Sequence, residues 1–310
     1  MVNTSEVSQE VLKELANQGY QGRIVSVQHL KELEEGIESH RRGGEFDEEF
    51  DRTRLSSFRY SHPDTISKSQ SLIIVAVPRP QTAAVFTWQG RNVPLIVPPT
   101  YTDYRKIAQR VLDLLTETLE SFGYKVALSL LPLKSLAVRS GLAAYGRNNI
   151  CYVSGMGSFL ELVGLYSDLP CHDDTWQEAR MMEACRKCRA CLNHCPTGAI
   201  TEERFLLRAE RCLSFHNEKP SDIPFASWIN PSWHNCLVGC MLCQRACPED
   251  KKFWSWTEGE EEFSEEETDL LLKGGPRDKL AKETIDKLER LDILDDLGLL
   301  PRNLGVFLRA

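Results

Sequence analysis

Cys185, Cys188, Cys191 and Cys195 stand in one run, C-x2-C-x2-C-x3-C, closed by Pro196, and Cys240, Cys243 and Cys247 form a second run closed by Pro248. A cysteine thiolate is a soft ligand suited to iron–sulfur clusters. At this spacing a tight loop wraps three corners of a cubane, and the cysteine before the proline crosses over to a neighbouring cluster. Two copies predict two [4Fe–4S] clusters and a chain that moves electrons. Cys185, Cys188, Cys191 and Cys247 are expected at the first cluster, and Cys195, Cys240 and Cys243 at the second. Its remaining ligand is open between Cys236, which precedes Cys240 by four residues, and Cys212 in 211-RCLSFHNE-218.

Other uses of the cysteines fit less well. Paired C-x2-C motifs bind zinc, but tetrahedral zinc sites rarely repeat this longer run twice. Nine of the eleven cysteines fall between Cys171 and Cys243. Such bunching, in a chain whose polar start MVNTSEVSQEVLKEL lacks an apolar leader, reads as redox chemistry rather than a disulfide framework. Arg41-Arg42 reads as part of a solvated loop, and no apolar run approaches membrane-spanning length. A cytoplasmic protein with no membrane partner is expected. The net charge of −8 argues against a broad nucleic-acid surface. Cys151 and Cys171 read as small buried residues, and His194 and His216 as packing or supporting groups around the clusters.

The elements that must position this centre follow from periodicity. Residues 5–18 and 29–40 have helical spacing with polar faces. The continuous apolar run 71–77, SLIIVAV, predicts a strand in a sheet covered on both sides. Residues 81–100 read as a strand or hairpin and then a loop. Ile107, Val111, Leu114, Leu115 and Leu119 mark a helix over 103–122, with Gly123 as its C-terminal cap. Strands are expected at 125–131, 150–153 and 159–166, and helices at 134–142 and 277–297. The acidic stretch 258–269 carries eight acidic and no basic residues and reads as a solvated stretch or a helix start. Alternating strands and helices predict an α/β layer domain over 1–175, a double-cluster module over 176–252, and an acidic linker with C-terminal helices over 253–310.

Taken together, 185-CRKCRACLNHCPTGAI-200, 211-RCLSFHNE-218 and 239-GCMLCQRACP-248 resemble the double-cluster module of epoxyqueuosine reductases. Upstream, 139-RSGLAAYGRNN-149 is similar to that family's Arg-Ala-Gly-Leu-Gly-Trp-Ile-Gly-Lys-Asn segment, and 157-GSFLELVGLYSDLP-170 to its Gly-Ser-Trp-Phe-Phe-Leu-Gly-Glu-Ile-Tyr-Thr-Asp-Leu-Pro segment. The resemblance spans about residues 65 to 250. It implies a nitroreductase-like α/β (α+β) domain that binds cobalamin, with a bacterial-ferredoxin-like double [4Fe–4S] module inserted or appended. Related reductive dehalogenases share this plan. In such enzymes the clusters reduce cobalt to Co(I), which acts on the substrate. The resemblance selects Cys212 over Cys236 as the eighth ligand. It places Gly141, Leu142, Tyr145, Gly146, Arg147, Asn148, Gly157 and Ser158 near cobalamin. Of these, Tyr145 and Arg147 are candidates to donate a proton and bind an anion. The loop 145-YGRNN-149 reads equally as a turn whose backbone amides face the cofactor.

The chain departs from that family at its proton donor. Counting back from Gly141 without a gap, the family's Asp falls at Ala127 and its Glu at Leu133. A general acid contributes ~10²–10⁴-fold to rate. About sixty residues follow Cys247, leaving no room for the family's tRNA-binding helical repeats. A cytoplasmic cobalamin-dependent iron–sulfur reductase of a small molecule is therefore expected, fed by an external donor such as ferredoxin or flavodoxin, rather than a tRNA enzyme. The alternatives are a ferredoxin-type electron carrier and a cobalamin reductase or chaperone serving a partner protein.

Overall fold

Strand Ser71–Pro78 is buried at every position but the last. It is the axis of the first of two units into which contacts divide the chain. The computed structural model describes residues 3–66, 68–101 and 104–309. In chain order the elements are α1 (Thr4–Asn17), β1 (Gln21–Ser26), α2 (Leu30–Arg42), α3 (Glu48–Phe50), β2 (Ser71–Pro78), β3 (Gln81–Trp88), β4 (Arg91–Val97), α4 (Tyr104–Glu120), β5 (Val126–Leu128), α5 (Leu133–Arg139), β6 (Ala144–Tyr145), β7 (Cys151–Tyr152) and β8 (Leu160–Ser167). They continue with α6 (Ala190–Asn193), α7 (Leu213–Asn217), α8 (Leu242–Arg245), β9 (Thr257–Phe263), α9 (Glu265–Leu272), α10 (Lys282–Arg290) and α11 (Leu300–Leu308).

The first unit comprises Met1–Pro78 and Arg105–Cys188. Its sheet has the order β1-β2-β8-β5, and each pair is antiparallel. Alternate residues of β2 serve two cores. Ile73, Val75 and Val77 meet α1 and α4 through Val11, Leu15, Val111 and Leu115. Leu72, Ile74 and Ala76 meet α2 and α5 through Leu33 and Leu136. Burial on both faces explains the unbroken apolar run. The sheet is antiparallel, so the unit is a mixed α and β layer and not a βαβ succession. Strand β1, with no clean alternation, was not foreseen.

Gly164 in β8 lets α5 approach the sheet. A Cβ there would meet Leu133 Cδ2 at 2.4 Å and Ser129 Oγ at 2.7 Å. Helix α4 begins at Tyr104, and Asp103, its expected start, lies outside the described residues. Gly123 follows it with φ +83°. Arg41 and Arg42 belong to the last turn of α2 rather than to a loop. Arg41 forks onto the Asp51 carboxylate at 2.7 Å from both Nε and Nη2, which ties that turn to the next segment.

The second unit comprises Arg79–Tyr104 and Arg189–Ala310. The three-part division expected from sequence is thus corrected. The β3–β4 hairpin and the C-terminal helices share one core through Ala84, Phe86, Leu95, Leu271, Leu288 and Leu304. The acidic stretch is corrected too: Thr257–Phe263 is strand β9, paired parallel to β3. Its glutamates face outward while Phe263 stacks on Phe86 with ring centroids 4.7 Å apart. Backbone partners on β3 outweigh the low strand propensity of glutamate. Ser264 and Glu267 then close a capping box on α9. No helix among the described residues is long and apolar enough to cross a membrane.

Candidate iron–sulfur centre

The boundary between the units falls between Cys188 and Arg189, inside the first cysteine run. In the first unit the chain enters that run through an isolated parallel bridge between Met181 and Tyr145. The N–H of Tyr145 donates to the Arg180 carbonyl at 3.0 Å, and that of Met182 donates to the Tyr145 carbonyl at 2.9 Å. Upstream, Thr175 Oγ1 donates to the Ser140 carbonyl at 2.7 Å, and the Gln177 N–H to the Arg139 carbonyl at 2.8 Å. His29 stacks on Trp176 at 4.2 Å and pins the same segment to α2.

Arg147 reaches into the first cysteine turn. Its Nε donates to the Cys188 carbonyl at 3.0 Å, and its Nη2 to the Cys185 carbonyl at 2.8 Å. The guanidinium that sequence offered to a substrate anion is therefore spent on the turn itself. Tyr145 is likewise turned inward. Burial, with the Cys151 thiol beside it, raises its phenol well above the ordinary value, and a hydrogen bond to Ser135 opposes the shift. Such a group is a weak proton donor. Asn148 donates to the Tyr152 hydroxyl at 2.9 Å and accepts from the Ile150 N–H at 3.3 Å.

The loop 145–149 is thus the tight connection between β6 and β7. Gly146 admits no side chain, since a Cβ would lie 2.4 Å from Asn148 Oδ1. Gly157 closes a small loop by exchanging hydrogen bonds with Val153 at 2.9 and 3.0 Å, and Ser158 and Leu142 are buried. What sequence reading missed is Asn149. It holds φ +62°, and its buried Nδ2 has no hydrogen-bond partner among the described residues. The available signal was the turn composition YGRNN, since asparagine tolerates the left-handed region that such turns need. Ala127 lies in β5 opposite Tyr166 and brings only a methyl group. Leu133 opens α5.

In the second unit, Cys195, Cys212, Cys240 and Cys243 come together. The Cys243 thiol feels the charges of Cys240, Cys212, Cys191 and Cys195 after burial itself, and its pKa is raised well above the ordinary value. Burial first, then Cys240, pushes Cys212 up to about 11. Burial also raises Cys240, with hydrogen bonds from Asn235 and the Leu242 backbone opposing. The crowded Cys212, Cys240 and Cys243 thiols resist ionising. Iron reverses that logic, because a coordinated thiol is deprotonated by the cation's charge. The donor set therefore fits a cluster.

Both rivals for the eighth position accept backbone N–H groups, Cys236 from Met241, and they differ in their side-chain partners. The Cys212 sulfur accepts backbone N–H groups of Ser214 and Phe215 at the start of α7. The Cys236 thiol donates to Asn235 Oδ1 at 3.1 Å. Tyr101, from the segment after β4, lies against Gly239 and donates to Glu218 behind Cys212. A Cβ at Gly239 would stand 2.6 Å from the Tyr101 ring. His194 and His216 bond to the backbone carbonyls of Ala190 and Glu210, each at 2.9 Å.

Comparison with known proteins agrees with this centre. The family described as "4Fe-4S double cluster binding domain" matches residues 184–250. The epoxyqueuosine reductase of Pseudomonas aeruginosa is 31% identical over 153 residues, covering 47% of this chain and 41% of that protein. That of Escherichia coli K12 is 32% identical over 169 residues, covering 52% and 42%. The matched part is about two fifths of the length of these curated relatives. A solved epoxyqueuosine reductase, in complex with an epoxyqueuosine-modified tRNA-Tyr stem loop, superposes with a TM-score of 0.71 at 19% identity, covering 98% of this chain and 81% of that one. At that identity the likeness shows the fold. The chain is thus similar to epoxyqueuosine reductases over about half of its length and matches a 4Fe-4S double cluster binding domain at residues 184–250.

Proposed function

We propose that this chain is an iron–sulfur oxidoreductase that uses two [4Fe–4S] clusters and cobalamin to reduce a substrate. The observation that carries the reading is the gathering of Cys195, Cys212, Cys240 and Cys243 within one unit, in a segment matched by a double-cluster family. Cys185, Cys188, Cys191 and Cys247 would hold the first cluster and the gathered four the second. When bound, the clusters supply one-electron transfer and cobalamin supplies a strongly reducing cobalt centre.

The chain's own residues set the stage for that chemistry. Arg147 fixes the carbonyls of Cys185 and Cys188 and so the direction of both thiols. The orphaned amide of Asn149 and the backbone of the β6–β7 connection are the groups suited to a cofactor's amide side chains. Tyr145 excludes water from the apolar cluster beneath that connection.

A small-molecule substrate is favoured by the methyl group at Ala127, where the family's acid falls, and by the net charge of −8. A second reading, epoxyqueuosine in tRNA, is favoured by the solved relative that holds a modified stem loop. Ultraviolet–visible and EPR spectra of anaerobically purified protein, with and without hydroxocobalamin, test the cofactors. Two cluster signals and a shifted cobalt spectrum are expected. Failure to bind cobalamin at micromolar concentration would leave a plain electron carrier. Incubating the loaded protein and a reductant with epoxyqueuosine-containing tRNA then separates the substrates: conversion of the nucleoside selects tRNA.

A further inference from the structure

Asn235 uses its whole amide around Cys240. Nδ2 donates to the Trp233 carbonyl at 3.1 Å and to Cys240 Sγ at 3.2 Å. Oδ1 accepts the Met241 N–H at 2.9 Å and the Cys236 thiol at 3.1 Å. A side-chain amide has two donor hydrogens and two acceptor lone pairs, so every position is filled. The Cys236 residue is wholly buried, which leaves its thiol no water to turn to.

We propose that Asn235 is a positioning residue for the second cluster: its N–H···S bond to Cys240 raises that cluster's reduction potential, and its oxygen holds Cys236 as a neutral thiol outside the ligand set. The proposal rests on the reading of Cys240 as a cluster ligand. Reduction adds negative charge to a cluster, and hydrogen bonds to its sulfurs stabilise that charge. Removing such a donor lowers the potential. The second half follows from direction. A sulfur that keeps its proton for an amide oxygen is not the thiolate that iron takes, although the Cys236 sulfur also accepts the Met241 N–H. One side chain thereby separates two cysteines four residues apart, both of which the spacing alone admits.

The experiment is a redox titration of the full chain, reconstituted anaerobically and followed by EPR, with iron counted per protein. Asn235→Leu keeps the branched outline of the side chain and removes all four bonds. It is expected to retain the wild-type iron content and to lower one cluster's midpoint. At a fixed potential the reduced-to-oxidised ratio of that cluster should fall about tenfold, which is about 59 mV for a one-electron couple. The other cluster's midpoint should not move. Cys236→Ser should keep both the iron and the potentials. If Asn235→Leu does not fold, Asn235→Ala also removes the donors without adding a charge and should show the same fall. Wild-type midpoints in a folded, fully loaded Asn235 variant overturn the proposal, as does loss of about half of the iron in Cys236→Ser. Wild-type protein that assembles no cluster overturns the double-cluster reading itself, and the proposal with it.

Discussion

The guanidinium of Arg147 is bonded to the main chain of Cys188: Nε donates to its carbonyl at 3.0 Å. The same group holds the Cys185 carbonyl at 2.8 Å, so one side chain from the β6–β7 connection braces the first C-x2-C turn. Arg147→Ala should cost about 1.5–3 kcal/mol, the usual worth of hydrogen bonds to a charged group. It should also drop the bound iron toward half. Arg147→Lys should not restore it, because a single ammonium cannot reproduce the planar fork. Thermal unfolding and iron analysis of the two variants check this, and normal iron in Arg147→Ala would refute it.

The accepting sulfur of Cys212 leads to a different expectation. Cys212→Ser should remove about half of the iron and one EPR signal. By contrast, Cys151 is buried beside the Lys134 carbonyl with its thiol pushed up to about 12, and Cys171 up to about 11. Neither should react measurably with a thiol reagent at pH 8 in the folded protein. Mass spectrometry after alkylation reads both sites.

Packing at Gly164 gives a stability test. An alanine Cβ would press on Leu133 Cδ2 at 2.4 Å, inside contact distance, and the Leu133 side chain would have to shift. Gly164→Ala should destabilise the protein by about 1–3 kcal/mol, the usual cost of overpacking. Leu133→Ala in the same background should recover part of it. Additive losses in the double variant would show that the two sites are not coupled.

His234 sets a pH dependence. Burial, helped by the Arg302 charge, lowers its pKa from 6.5 to about 4. The folded state therefore disfavours protonation more than the unfolded chain does. Stability from this group is fully present above pH 6.5 and is lost as pH falls toward 4. The loss is at most about 3 kcal/mol, from 1.36 kcal/mol per pKa unit. Urea unfolding of wild type and His234→Phe at pH 7 and pH 4.5 should show a smaller drop for the variant.

How much of this could be read from the chain alone depends on whether a feature is local. The cysteine runs announce their chemistry because cluster ligation demands fixed spacing within a tight loop. The 71–77 run, the 103–122 helix and the role of Gly123 were legible because periodicity and capping are local properties. Strand β9 was not, since TEGEEEF acquires its structure only from β3, far away in sequence. The joining of the 81–97 hairpin to the C-terminal helices was hidden for the same reason. At the site, sequence offered Arg147 and Tyr145 as chemically free groups. Tertiary structure commits one to the carbonyls of Cys185 and Cys188 and turns the other into the apolar cluster. The contest between Cys212 and Cys236 could not be decided by spacing, because both lie within reach along the chain. The Cys236 bond to Asn235, on which our proposal for that cysteine rests, exists only once Asn235 has been placed by the fold.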